Sequence, residues 1–210
     1  MPIKLNGQTS GSVQLDVPAA VSGGDVTLTL PNGTGSANQF LKNGSTAGTL
    51  EFGALASSNM PTGSILQIQS TAKVDSFSYT GSSFTDVPGL SQAITTSSAS
   101  NKVLVIVNMA IGADWWNQNP QMNLLRGSTN LLQSTGGTTH NATVSTLDYS
   151  NGAALTGQIL INQSIVFLDS PGSAAAHTYK IQVKHFSINK TGSYALFGGT
   201  STITAMEVAA

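Results

Sequence analysis

The sequence predicts an all-β chain, and three observations lead there. Apolar residues recur with a period of two in short runs such as Val13, Leu15 and Val17, the spacing of a strand with one buried face. Turn-forming stretches rich in Gly, Ser and Asn separate these runs, and 22 of the 210 residues are glycine. No apolar stripe of helical period runs beyond a turn or two, in a chain rich in β-branched residues, so a helix would have no face to bury. The expected architecture is a short-stranded N-terminal region, residues 1–62, followed by a jelly-roll-like antiparallel β-sandwich, residues 63–210.

The N-terminal region opens with a repeat. Gly11–Pro18 and Gly24–Pro31 both read G-x-V-x-L-x-[VL]-P, two short strands closed by prolines that lack the N–H to continue a ladder. Gln39–Lys42 and Thr49–Phe52 are two more, joined by Asn43–Gly48, whose residues suit positive φ. Four short strands carry too few large apolar side chains to fold alone. Two readings follow: a shaft in which three identical chains each lend an apolar face, or an arm docked on the main domain.

Met60-Pro61-Thr62-Gly63 marks the expected boundary. Beyond it the candidate strands are 65–69, 76–79, 102–111, 121–126, 130–133, 143–149, 158–168, 177–186 and 201–208. Val103-Leu104-Val105-Ile106-Val107 is apolar on both faces, which requires a central strand covered on both sides or one pressed against another subunit. The stretch from His177 to His185 alternates instead: Tyr179, Ile181 and Val183 on one face, Lys180, Gln182 and Lys184 on the other.

Composition excludes several functions. Charged residues are 8% of the chain, against roughly 25% in an ordinary domain. The net charge of -1, from 8 basic and 9 acidic residues, provides no field to collect phosphates, so no nucleic-acid partner is expected. Cysteine is absent, which removes disulfides, thiolate metal sites and cysteine nucleophiles. No apolar run reaches the length of a membrane helix or a signal peptide, so neither membrane insertion nor export is expected. Ser and Thr make up about a quarter of the residues, so the polar surface is hydroxyl and amide rather than ionic.

Catalytic chemistry finds little support. The nine carboxylates are scattered; a glycosidase-like pair such as Asp114 with Asp148 would have to be assembled from distant positions. Serine is abundant, but no G-x-S-x-G elbow singles one out, and His140, His177 and His185 lack metal-ligand spacing. No P-loop is present. The expectation is a non-enzyme with no catalytic residues, no metal and no cofactor. The most unusual cluster is Asp114-Trp115-Trp116-Asn117-Gln118-Asn119, which holds both tryptophans in a polar loop after the most apolar strand. Aromatic faces stack on sugar rings while Asp114, Asn117 and Asn119 could bond hydroxyls, and a second polar loop carrying His140 and Asn141 would join them if both lie at one end of the sandwich. The alternative is that the tryptophans cap the sandwich or pack on a neighbouring subunit.

Leu28–Gly33, Asn38–Gly44, Thr49–Gly53, Lys102–Val105, Leu124–Ser128, Phe167–Pro171, Tyr179–Gln182 and Thr202–Glu207 together resemble short fibre or spike proteins of tailed phages, marine and cyanobacterial ones especially, over nearly the whole chain. The resemblance implies a homotrimeric structural protein of the virion. Its N-terminal shaft would attach to a capsid or tail component through Pro2, Ile3, Lys4 and Leu5, and its head would contact a host surface glycan or protein. A capsid-decorating fibre of mainly structural role is the alternative, and a polysaccharide-degrading enzyme a more distant one.

Overall fold

The computed structural model describes residues 3–6, 12–15, 27–79, 81–113, 120–132, 144–145, 159–185 and 199–210. Over these residues the protein is all-β with antiparallel sheets; the sole helical element is a 3-10 turn at Ser57–Asn59. The chain divides into two compact units, Met1–Ala56 and Ser57–Ala210. Met60–Gly63 therefore falls inside the second unit. There Ser64 N–H donates to Pro61 O at 3.0 Å across a turn with Gly63 at φ 87°, and Gly63 N–H donates to Ala209 O at 2.8 Å. The Pro-Gly punctuation is a tight turn that stitches the start of this unit to its last residues.

In the first unit, β1 (Ile3–Asn6) pairs antiparallel with β2 (Ser12–Leu15), Ile3 opposite Leu15. β3 (Phe40–Asn43) pairs with β4 (Leu50–Gly53), one residue further along the chain than expected. The second copy of the repeat does not form a strand among its described residues. It is held instead by one parallel bridge, Thr29 to Thr49, with Thr29 N–H donating to Gly48 O at 2.7 Å and Leu50 N–H to Thr29 O at 2.8 Å. Gly48 has φ 80°, and a Cβ there would stand 2.5 Å from Thr27 O, so the turn admits only glycine. Equal sequence periodicity thus yields different structures because each copy meets a different partner.

The second unit holds β5 (Ile65–Lys73), β6 (Thr85–Thr95), β7 (Lys102–Ala113), β8 (Pro120–Arg126), β9 (Thr129–Asn130), β10 (Val144–Ser145), β11 (Ile159–Asp169), β12 (Ala176–His185) and β13 (Ser201–Val208). One sheet has the order β11-β7-β13-β5 and the other β10-β8-β12-β6, with β9 beside β8. Odd-numbered strands fill the first sheet and even-numbered ones the second, apart from the short β8–β9 hairpin, so the chain crosses between sheets at nearly every connection. The two sheets share one core: Val103, Val105, Val107 and Met109 of β7, Ile165 of β11 and Ile203 of β13 meet Leu90 and Ile94 of β6, Met122 and Leu124 of β8, and Tyr179, Ile181 and Val183 of β12. The alternation expected of β12 is observed, with Tyr179, Ile181 and Val183 buried and Lys180, Gln182 and Lys184 half-buried.

One expected strand is corrected and one unexpected strand is added. Ser76–Tyr79 is not a strand. Its apolar alternation reflects Phe77 and Tyr79, which stack with ring centroids 6.4 Å apart and pack on the core without entering a ladder. β6, unforeseen, contains Pro88 and Gly89, which read as turn residues. It is the edge strand of its sheet, and between Lys180 and Gln182 an advance of two residues along β12 is matched by five along β6. The Pro-Gly pair lies in that irregularity, Gly89 at φ 75°, where a missing N–H and a positive φ are tolerated. Of the strands expected at 130–133 and 143–149, the described residues retain Thr129–Asn130 and Val144–Ser145.

Candidate interaction surfaces

The sandwich has two chemically distinct ends. At the end where the unit begins, Glu207 of β13 points inward, 1% exposed. Its Oε1 accepts from Ser97 N–H (2.6 Å), Ser97 Oγ (2.8 Å) and Asn101 Nδ2 (2.7 Å), and its Oε2 accepts from Gln67 Nε2 (2.6 Å). Burial pushes this carboxyl up, but the hydrogen bonds from Asn101, Gln67 and Ser97 outweigh it and hold the group below the ordinary glutamate range. The carboxylate pins the β6–β7 turn to β13 and β5. Beside it lies an open hollow of about 310 Å3 lined by serines 57, 58, 97, 98 and 100 with Met60, Asn101 and the terminal alanines.

A second polar knot ties the sheets together. Arg126 of β8 donates to Asp169 Oδ2 of β11 at 2.5 Å, and the Tyr179 hydroxyl of β12 donates to the same oxygen at 2.7 Å. Burial, then the hydrogen bond and charge of Asp169, push the Tyr179 phenol well above its ordinary range. The other described carboxylates are also engaged: Glu51 with Lys42 (2.9 Å), Asp75 with Lys73 (2.9 Å) and Asp86 with Lys180 (2.7 Å). Among the described residues no group of three or more His, Asp or Glu could hold a metal ion.

At the opposite end, Ala113 of β7 stands opposite Ile159 of β11, and Pro120 of β8 opposite His185 of β12. These strand ends, remote from Ser57–Ser64, precede or follow residues 114–119, 146–158 and 186–198 in the sequence. Asp114, Trp115, Trp116, Asn117, Asn119, His140 and Asn141 themselves, with Asp148 and Pro2, lie outside the described residues. Ile3, Lys4 and Leu5 belong to β1.

The outward face of the β11-β7-β13-β5 sheet is the surface that stands out. Registers place Leu168 opposite Leu104, Leu104 opposite Met206, and Met206 opposite Ile68, an unbroken apolar row across four strands. The next row is Val166, Ile106, Thr204 and Ser70, and the one after it Ser164, Asn108, Thr202 and Ala72. Val166 is 64% exposed and Ile68 56%. Sequence reasoning foresaw an apolar outer face on β7; that β11, β13 and β5 continue it follows only from the register.

No family model matches this chain, and no curated protein does either. Among the described residues no helix is long and apolar enough to cross a membrane.

Proposed function

We propose that this protein is a structural component of a virion: a homotrimeric fibre whose N-terminal region forms a shared shaft attached to a capsid or tail protein, and whose C-terminal sandwich contacts the host cell surface. One observation carries the reading. No described residue between 27 and 56 is buried, and Leu28, Leu30, Phe40, Leu41 and Leu55 are all exposed. A regular, hydrogen-bonded segment without a core of its own needs an apolar surface from elsewhere, and identical copies supply one without like-charge conflict in a chain with 8% charged residues.

The strand order supports a jelly-roll reading of the head, with β5-β13-β7-β11 facing β6-β12-β8-β10. Jelly rolls recur in capsid and lectin domains, which is support by analogy of fold alone. The polarity of the sandwich supports host contact. Residues of its own first stretch lie beside Glu207, whereas β7 and β8, which bracket the sequence carrying Trp115 and Trp116, have their bracketing ends at the other end of the sandwich, where a recognition loop would serve host contact. A capsid-decorating role shares every feature but the last.

Light scattering on the full chain tests the assembly: three copies per particle are expected, and a stable monomer overturns the proposal. Trp115→Ala with Trp116→Ala should keep the trimer and lower adsorption to host cells; unchanged adsorption favours decoration.

A further inference from the structure

We infer that the outward face of the β11-β7-β13-β5 sheet is where the heads of neighbouring copies of this chain meet, an inference that rests on the self-assembly proposed above and names a second contact for it. Three properties of the face argue for a second copy as occupant. First, two pairs of its polar side chains already bond to each other. Ser70 Oγ and Thr204 Oγ1 are 2.8 Å apart, and Ser164 Oγ donates to Asn108 Oδ1. Water can leave these groups without stranding them, and an unsatisfied buried hydroxyl is what ordinarily forbids covering such a surface. Second, among the described residues of this face Lys102, at its margin opposite Val208, is the one charged side chain. Identical faces therefore approach without repulsion. The outer side of the other sheet differs: it carries Lys180 bound to Asp86, and Lys184 over the Phe84 ring. Third, the size fits a shared role. Four strands by seven residues span roughly 450 Å2 in projection, a large share of the ~800 Å2 per partner in a stable complex, with the exposed side chains of the first unit as the other contributor.

Leu104 and Ile106 on the central strand β7 form the middle of the contact, with Met206, Val166, Leu168 and Ile68 around them. β7 is then buried on both faces, one by its own sandwich and one by the neighbour.

The chain has no cysteine, so an introduced thiol is unique. Val166→Cys in the full chain should give covalent dimers with a short bismaleimide, while Ala93→Cys, exposed on the other sheet, should not. Ile106→Lys should weaken self-association at least about tenfold, because a lysine would be buried among aliphatic side chains, with the circular dichroism spectrum unchanged. An oligomer that cross-links only at position 93, or equally at both positions, overturns this interface and leaves the fibre reading standing. A monomer at every concentration overturns both. Should the Ile106→Lys chain not fold, the Val166→Cys comparison decides alone.

Discussion

The two units solve the same problem in opposite ways. Ser57–Ala210 buries an aliphatic core between its own sheets, with Leu90, Leu124, Ile181 and Ile203 at 0% exposure. In the first unit the described residues from 27 to 56 include none that is buried. Both use strands with apolar alternation, so the difference lies in what each strand finds opposite it. The sandwich crosses its chain from sheet to sheet and always has a second layer; a two-stranded ribbon such as β3–β4 brings no second layer of its own.

The sharpest way to break this contrast is to hollow the core of the sandwich. Leu124→Ala should destabilise it by about 2–5 kcal/mol in urea denaturation. Leu30→Ala should change single-chain stability by less than about 0.5 kcal/mol and show its effect only in how assembly depends on concentration. Equal losses would mean that the first unit has a core of its own. Next in size is Glu207→Gln, expected to cost about 1.5–3 kcal/mol, since an amide in place of the carboxylate sets one N–H against the donors of Gln67, Ser97 or Asn101.

Titration sharpens the same comparison. The folded-state pKa of Glu207 lies below its unfolded value, so its contribution is present above that unfolded value and is lost as pH falls through the folded one. Tyr179 behaves conversely. Its pKa is raised, so its contribution is complete below the ordinary phenol value of 10.0 and is lost as pH rises beyond it. Unfolding followed against pH should therefore show an alkaline loss of stability in the sandwich, and Asp169→Asn, which removes the anion beside the phenol, should narrow it. The smallest effect belongs to Asp86. Lys180, with Gln182, holds its carboxyl below the ordinary range against slight burial, yet its side chain is 51% exposed, so Asp86→Ala should cost under about 1 kcal/mol.

Much of the fold was legible because burial on one face leaves a period of two. β7, β11, β12 and β13 each lie within a residue or a few of their expected bounds, and the Asn43–Gly48 turn has its positive φ at Gly48. β6 was hidden because Pro88 and Gly89 signal a turn in isolation, and only its place at a sheet edge makes them acceptable. Ser76–Tyr79 failed for the reverse reason: aromatic side chains can reach a core from a segment outside any strand ladder. Of the candidate surfaces, the apolar outer side of β7 could be read from Val103–Val107. The row from Leu168 to Ile68 could not, since it joins residues up to 138 positions apart through register alone.

By itself the sequence determined an all-β chain with few charges, a small-stranded beginning and a larger sandwich, because alternation, turn chemistry and composition are local properties. The tertiary structure decided which of two apolar faces each strand covers. Periodicity says that a strand has two faces; only the path of the chain says that one side of β7 meets β8 and β12 across the core while the other side, from Leu104 to Ile106, stays outside it.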